Sequence, residues 1–224
     1  MSVIILPFGA PRSGTTFLDR ALHQIKGAVV SRFREPMFLH PAKSKTGMLG
    51  LAQVFAEHHL VFVRIIRHPM EVAESFVATR TVLKLSDGLA RNSDKSIVEW
   101  IACEAENFWA QMRFMRNPEG GWAKVPWRVV QVRFEDLGKH TGRASFVIWL
   151  RDVLPSGFDL KPVVEYIEKN WGKPERAVRP GRLSAGVQES ILTPEQRKFF
   201  ERELAWAAKL NGYDIKRRPE RTYG

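Results

Sequence analysis

The run VIILPF (residues 3–8) carries no polar side chain and breaks at once into GAPRSGTT (residues 9–16). An apolar run without alternation suits a strand covered on both faces, as in a parallel sheet, better than a half-solvated surface strand. From Thr16 the pattern turns helical, with Phe17, Leu18, Ala21, Leu22 and Ile25 on one side. The stretch reads as strand, glycine-containing loop and helix, and the rest of the chain is interpreted outward from that unit.

The same unit recurs downstream. Leu60 to Ile66 repeats the apolar strand signature, Pro69 stands where a first-turn proline is welcome, and Val72, Ala73, Phe76 and Val77 follow at helical spacing. Ser93 or Asp94 is placed to cap a long helix in which Ile97, Ile101, Ala105, Phe108, Met112 and Met115 recur three to four residues apart. Trp127 to Phe134 reads as a third strand ending at the acidic pair Glu135 and Asp136, and two further helices are expected over Ala144 to Leu154 and Leu160 to Trp171. Thr193, Pro194 and Gln196 have capping-box spacing, which launches a helix to about Leu210, where Asn211 and Gly212 stop it. Strands alternating with helices imply an α/β fold, a central parallel sheet with helices on both faces. With no internal repeat and no Gly/Ser/Pro-rich linker, residues 1–224 read as a single domain.

At 224 residues, with 44% apolar and 26% charged side chains, the composition excludes disorder, collagen and coiled coil as global readings. The apolar run from Met1 stops at Pro7 without a basic leader, and Arg64 interrupts the run from Leu60, so neither a secretory signal nor a membrane span is expected. A cytoplasmic protein is the expectation. Cys103 is the only cysteine, which excludes an intrachain disulfide and a cysteine zinc site; on a helix face it reads as packed and inert. A formal charge of +11 predicts an anionic partner. Charge alone leaves nucleic acid, a membrane surface, a polyanionic sugar and a phosphorylated small molecule open.

The loop narrows that choice. It leaves a strand and opens a helix, the geometry that points backbone N–H groups at an anion. Its glycine spacing equals that of a Walker A loop, yet Thr15 stands where a triphosphate site needs lysine. The cation has moved to Arg12, whose guanidinium can fork onto a phosphate or sulfate oxygen.

PRSGTT (residues 11–16) after a first strand resembles the 5′-phosphosulfate-binding loop of sulfotransferases that use 3′-phosphoadenosine 5′-phosphosulfate as donor, in which lysine or arginine holds the second position. The segment VRIIRHPMEVAESF (residues 63–76) resembles that family's 3′-phosphate-binding strand, loop and helix, with Arg67 and Ser75 at the spacing of its arginine and serine. For Arg67 the competing reading is a surface ion pair with Glu71 or Glu74. VRFEDL (residues 132–137) is similar to the strand end near the adenosine, with Phe134 replacing the common tyrosine, so ring packing alone is expected there. RPGRLSAGVQESILTPE (residues 179–195) resembles the loop that closes over the 3′-phosphate, although the usual tryptophan is absent and either Arg179 or Arg182 would carry the contact.

The resemblance implies a P-loop NTPase-like sulfotransferase fold, that donor as cosubstrate, and Arg12, Ser13, Gly14, Thr15, Thr16, Arg67, Ser75, Phe134, Arg179, Gly181 and Arg182 as its contacts. REPMFLHP (residues 34–41) resembles the acidic segment of carbohydrate-type sulfotransferases, which makes Glu35 the base and His40 the alternative, histidine being the base of the small-molecule branch. His58, His59 and His68 read as edge or loop residues. No His and carboxylate cluster has metal-ligand spacing, and Arg12 with the loop amides can neutralise a leaving phosphate, so no metal is expected. The expected acceptor is a small molecule or a carbohydrate, with no nucleic-acid partner. A P-loop kinase and a non-catalytic polyanion-binding module are the alternatives.

Overall fold

The computed structural model describes residues 2–10, 12–31, 58–83, 93–115, 128–171 and 191–217. Among these residues four strands form one sheet: β1 (Val3–Phe8), β2 (Ala28–Val30), β3 (His59–Ile66) and β4 (Arg128–Arg133). Their order is β2-β1-β3-β4 and every neighbouring pair is parallel. The helices are α1 (Thr15–Leu22), α2 (Pro69–Leu83), α3 (Asp94–Met115), α4 (Phe134–Leu137), α5 (His140–Val153), α6 (Lys161–Asn170), α7 (Pro194–Glu203) and α8 (Ala205–Leu210). This is an α/β fold around a central parallel sheet.

Both faces of the sheet are covered, as the apolar runs require. Val3, Ile5, Val61, Val63, Ile65, Val130 and Val132 face α1, α5 and α6, where Leu18, Leu22, Phe146, Leu150, Val163 and Ile167 complete the cluster. The alternate residues Ile4, Leu6, Phe8, Leu60 and Phe62 pack against Phe108 of α3. A separate cluster joins α2, α3 and α7 through Met70, Val77, Ile97, Ile101, Phe200 and Leu204.

Helix boundaries follow local chemistry. Ser93 caps α3, its Oγ accepting from the Ser96 amide at 3.1 Å. At α7 the capping box is complete: Thr193 Oγ1 accepts from the Gln196 amide at 3.2 Å, and Gln196 Oε1 accepts from the Thr193 amide at 3.1 Å. The Nε2 of the same Gln196 donates to Asp94 at 3.1 Å, which ties the starts of α7 and α3 together.

Several boundaries differ from the sequence reading. β2 has only three residues, too short to leave a periodic signal. Phe134 opens α4 instead of ending β4, because Glu135 and Asp136 supply the acidic first turn that a helix start favours. α5 begins at His140, ahead of its first buried apolar residue, Phe146. The last helix divides at Leu204, whose backbone (φ −99, ψ 0) leaves the helical region. His68 is wholly buried.

Candidate functional site

The site lies where the chain leaves β1 and β3. From β1 the connection runs through α1 to β2 on one side of the sheet; from β3 it runs through α2 and α3 to β4 on the other. Neighbouring parallel strands whose connections diverge in this way open a crevice at their carboxyl ends, the usual ligand position in such sheets.

The loop after β1 is shaped by two glycines and one strained arginine. A Cβ on Gly9 would lie 2.2 Å from the Ile65 carbonyl oxygen, so only glycine lets β1 end this close to β3. Gly14 has φ 98 and ψ 17, a left-handed conformation, and it precedes α1 with no side-chain cap. Arg12 is the one non-glycine residue with positive φ (72°) among the described residues. Holding an ordinary side chain there costs about 1–3 kcal/mol, and such strain concentrates at ligand-binding loops. Alternation of left-handed and ordinary residues turns successive amides toward one side and makes an anion-binding concavity.

The individual loop residues divide their work. Ser13 is buried, and both its hydroxyl (2.6 Å) and its amide (3.1 Å) donate to the Ala10 carbonyl, so it braces the loop. Thr15 and Thr16 are the first residues of α1, half-buried, and the Leu18 amide donates to the Gly14 carbonyl one turn back at 3.0 Å. The first turn of α1 is the positive end of the helix dipole. The Arg12 guanidinium stands 5.9 Å above the Phe76 ring, beside Ser75 in the second turn of α2.

Arg67 joins the two halves of the site. Its Nη1 donates to the Arg12 carbonyl at 3.5 Å, its Nη2 pairs with Glu71 Oε2 at 3.1 Å, and its Cζ stands 4.9 Å over the Phe134 ring. The Glu71 pair raised as a competing reading is present, but Glu71 is buried and is no surface residue. The Arg67 Nε is buried and has no hydrogen-bond partner among the described residues. Phe134 in turn packs on Gly14 and, in a tilted arrangement with centroids 4.8 Å apart, on Trp171. The structure thus brings Arg12 and Gly14 of the loop, Arg67 and Phe134 together from three separated stretches of sequence.

Glu35, His40, Arg179, Gly181 and Arg182 lie outside the described residues. Among the described residues no group of three or more His, Cys, Asp or Glu side chains is placed to hold a metal, and no helix is long and apolar enough to cross a membrane.

Sequence reasoning passed over two polar networks beside the site, one buried and one half-buried. Arg64, fully buried on β3, donates from Nε (2.9 Å) and Nη2 (2.7 Å) to the two oxygens of Glu104, and from Nη1 to Gln131 (2.8 Å) and Asn211 (3.1 Å). Its guanidinium also lies 3.9 Å over Phe108. The lone charge inside an apolar strand was the available signal, since a buried charge requires a partner. In the second network Glu135 accepts from the His68 amide and from the Tyr213 hydroxyl, each at 2.8 Å. Burial, and next the Glu135 carboxylate, push the Tyr213 phenol far above its ordinary value, with Arg133 opposing them.

No family model matches the chain, and no curated protein matches it.

Proposed function

We propose that the chain is a sulfotransferase that moves the sulfuryl group of 3′-phosphoadenosine 5′-phosphosulfate to a hydroxyl or amine of a small-molecule or carbohydrate acceptor. The observation that carries this reading is Arg67, whose buried Nε–H has no acceptor among the described residues while its Nη1 touches the carbonyl of the anion loop. The contrast with Arg64 is direct: there Nε and Nη2 both engage one carboxylate, whereas in Arg67 only Nη2 does. A desolvated donor left unpaired costs about 1–3 kcal/mol, and an anionic ligand removes that cost. Two anion-recognising features at one sheet end suit a nucleotide phosphorylated at two positions.

In this reading the sulfur–oxygen bond to the donor's 5′-phosphate breaks as the acceptor oxygen or nitrogen bonds to sulfur from the opposite side, and adenosine 3′,5′-bisphosphate leaves. The α1 amides and Arg12 stabilise the charge that gathers on the departing phosphate oxygen. Glu35 takes the acceptor's proton, with His40 as the alternative base; both assignments rest on sequence alone. Arg67 and Ser75 hold the 3′-phosphate, and Phe134 offers a ring face without a hydroxyl. The cytoplasm is the proposed compartment.

Titration calorimetry with adenosine 3′,5′-bisphosphate, adenosine 5′-phosphate and ATP with magnesium tests the proposal. The bisphosphate should bind more tightly than the monophosphate, and magnesium should add nothing. Preference for magnesium ATP would instead favour a kinase, and steeply salt-dependent binding indifferent to Arg12→Ala would favour a polyanion-binding module.

A further inference from the structure

Four consecutive residues after α8 each reach a different anchor at the carboxyl end of the sheet. Asn211 Oδ1 accepts from Arg64 Nη1 at 3.1 Å, and the Gly212 carbonyl accepts from Arg133 Nη2 at 2.8 Å. The Tyr213 hydroxyl donates to Glu135 at 2.8 Å, and the Asp214 carbonyl lies 3.0 Å from His68 Nε2. Because the Met70 amide donates to His68 Nδ1 at 3.3 Å, the imidazole proton sits on Nε2 and is donated to Asp214.

The anchors are not scattered. Arg64 and His68 bracket Arg67, and Arg133 and Glu135 immediately flank Phe134. The strap therefore holds the side chains of residues that neighbour Arg67 and Phe134 in sequence, the pair whose stack defines the second half of the site. Glu135 is the node: one oxygen takes the His68 amide from the β3 side, the other takes Tyr213 from the strap.

Ending α8 does not require these contacts. The helix is closed locally by the Tyr213 amide on the Ala208 carbonyl (2.8 Å) and the Gly212 amide on the Lys209 carbonyl (3.1 Å), the bonds of a glycine C-cap. The side-chain contacts are additional, and the strap passes close to Arg133: a Cβ on Gly212, where φ is 73°, would come within 2.7 Å of its Nη2. The Tyr213 ring meets His68 edge to face at 5.3 Å and carries the Arg133 guanidinium at 4.8 Å.

We infer that Asn211 to Asp214 is a strap that sets the Arg67–Phe134 stack, making Tyr213 a positioning residue for the second anion subsite. The inference rests on the reading of Arg67 as a phosphate-binding residue. Positioning of this kind acts through geometry, where displacements near 1 Å are costly.

The test compares calorimetric affinities for adenosine 3′,5′-bisphosphate and adenosine 5′-phosphate in wild type, Tyr213→Phe, Arg67→Ala and the double variant. Tyr213→Phe should weaken the bisphosphate by about fivefold to tenfold, leave the monophosphate unchanged, and have no further effect once Arg67 is alanine. Equal losses on both nucleotides, or the same loss in the Arg67→Ala background, overturn the inference. If wild type does not prefer the bisphosphate, the phosphate-binding reading of Arg67 fails, and a crystal structure of Tyr213→Phe decides the strap by itself. Displacement of Arg67 from the Phe134 ring supports it; an unchanged stack and Glu71 pair overturn it.

Discussion

Phe134 lies flush against Gly14: a Cβ built on the glycine would stand 2.4 Å from the ring's Cδ2. The second glycine of the loop is thus required twice, once for its left-handed backbone and once for the ring beside it. Gly14→Ala should destabilise the fold by about 1–2 kcal/mol from backbone strain alone, lowering Tm by roughly 2–8 °C. Since Arg67 stacks on the displaced ring, nucleotide binding should fall as well. A variant with wild-type Tm and affinity would show that the ring is not held there.

Replacing Arg67 separates charge from shape. Arg67→Ala should weaken adenosine 3′,5′-bisphosphate by about 10- to 100-fold while sparing adenosine 5′-phosphosulfate, which lacks the 3′-phosphate. Arg67→Lys should fall between the two, because an ammonium keeps the charge but loses the planar face on Phe134 and the fork. Equal losses for both nucleotides, measured by calorimetry, would remove Arg67 from the 3′-phosphate site.

The Arg64–Glu104 pair predicts a stability effect with a distinctive asymmetry. Glu104→Ala strands a fully buried guanidinium and should cost about 3–5 kcal/mol in urea unfolding, a large share of a typical domain's stability. The joint change Arg64→Met with Glu104→Leu should recover most of that loss, because neither charge then needs a partner. A single variant costing under about 1 kcal/mol would mean that solvent reaches the site.

Tyr213 gives a pH dependence. Its phenol holds its proton more tightly in the folded chain, where burial and Glu135 oppose phenolate, than in the unfolded one. As the pH climbs past about 10 the unfolded chain sheds this proton first and binds fewer protons than the native state, so unfolding free energy falls there; below that range this group contributes no pH dependence. Tyr213→Phe should therefore lose stability by a constant amount between pH 7 and 9, in units set by one hydrogen bond of about 1 kcal/mol, and the gap from wild type should close above about pH 10. A gap that stays constant through the alkaline range in urea titrations would show that the phenolate is tolerated.

Much of the frame was legible because its signals are local. The unalternating run from Val3, the glycines of the loop, the proline at Pro69 and the capping box at Thr193 each act within a few residues, and each produced the expected element. Cys103, read as packed and inert, is half-buried, and burial, then Glu106 and Glu99, raise its thiol. What escaped depends on partners far away in sequence. His68 is followed by a proline and a helix start, which reads as a loop, yet its ring is buried against Tyr213. Arg64 and Asn211 are 147 positions apart, and no periodicity relates them. The loop, Arg67 and Glu135 stand in recognisable motifs and Asn211 and Gly212 form a helix stop, but none of these signals says that Tyr213 reaches Glu135 across 78 positions.

The strand order carries a consequence for biosynthesis. β1 is the first of the four strands to leave the ribosome, but its longer pairing, Val3 with His59 through Phe8 with Arg64, involves residues 56 positions later. At 5–20 residues per second, roughly 3–11 s pass before that partner is synthesised. During that interval the newborn VIILPF strand has, among the described residues, only the short Ala28–Val30 segment to pair with, and its other edge is open to association with neighbouring chains on the polysome.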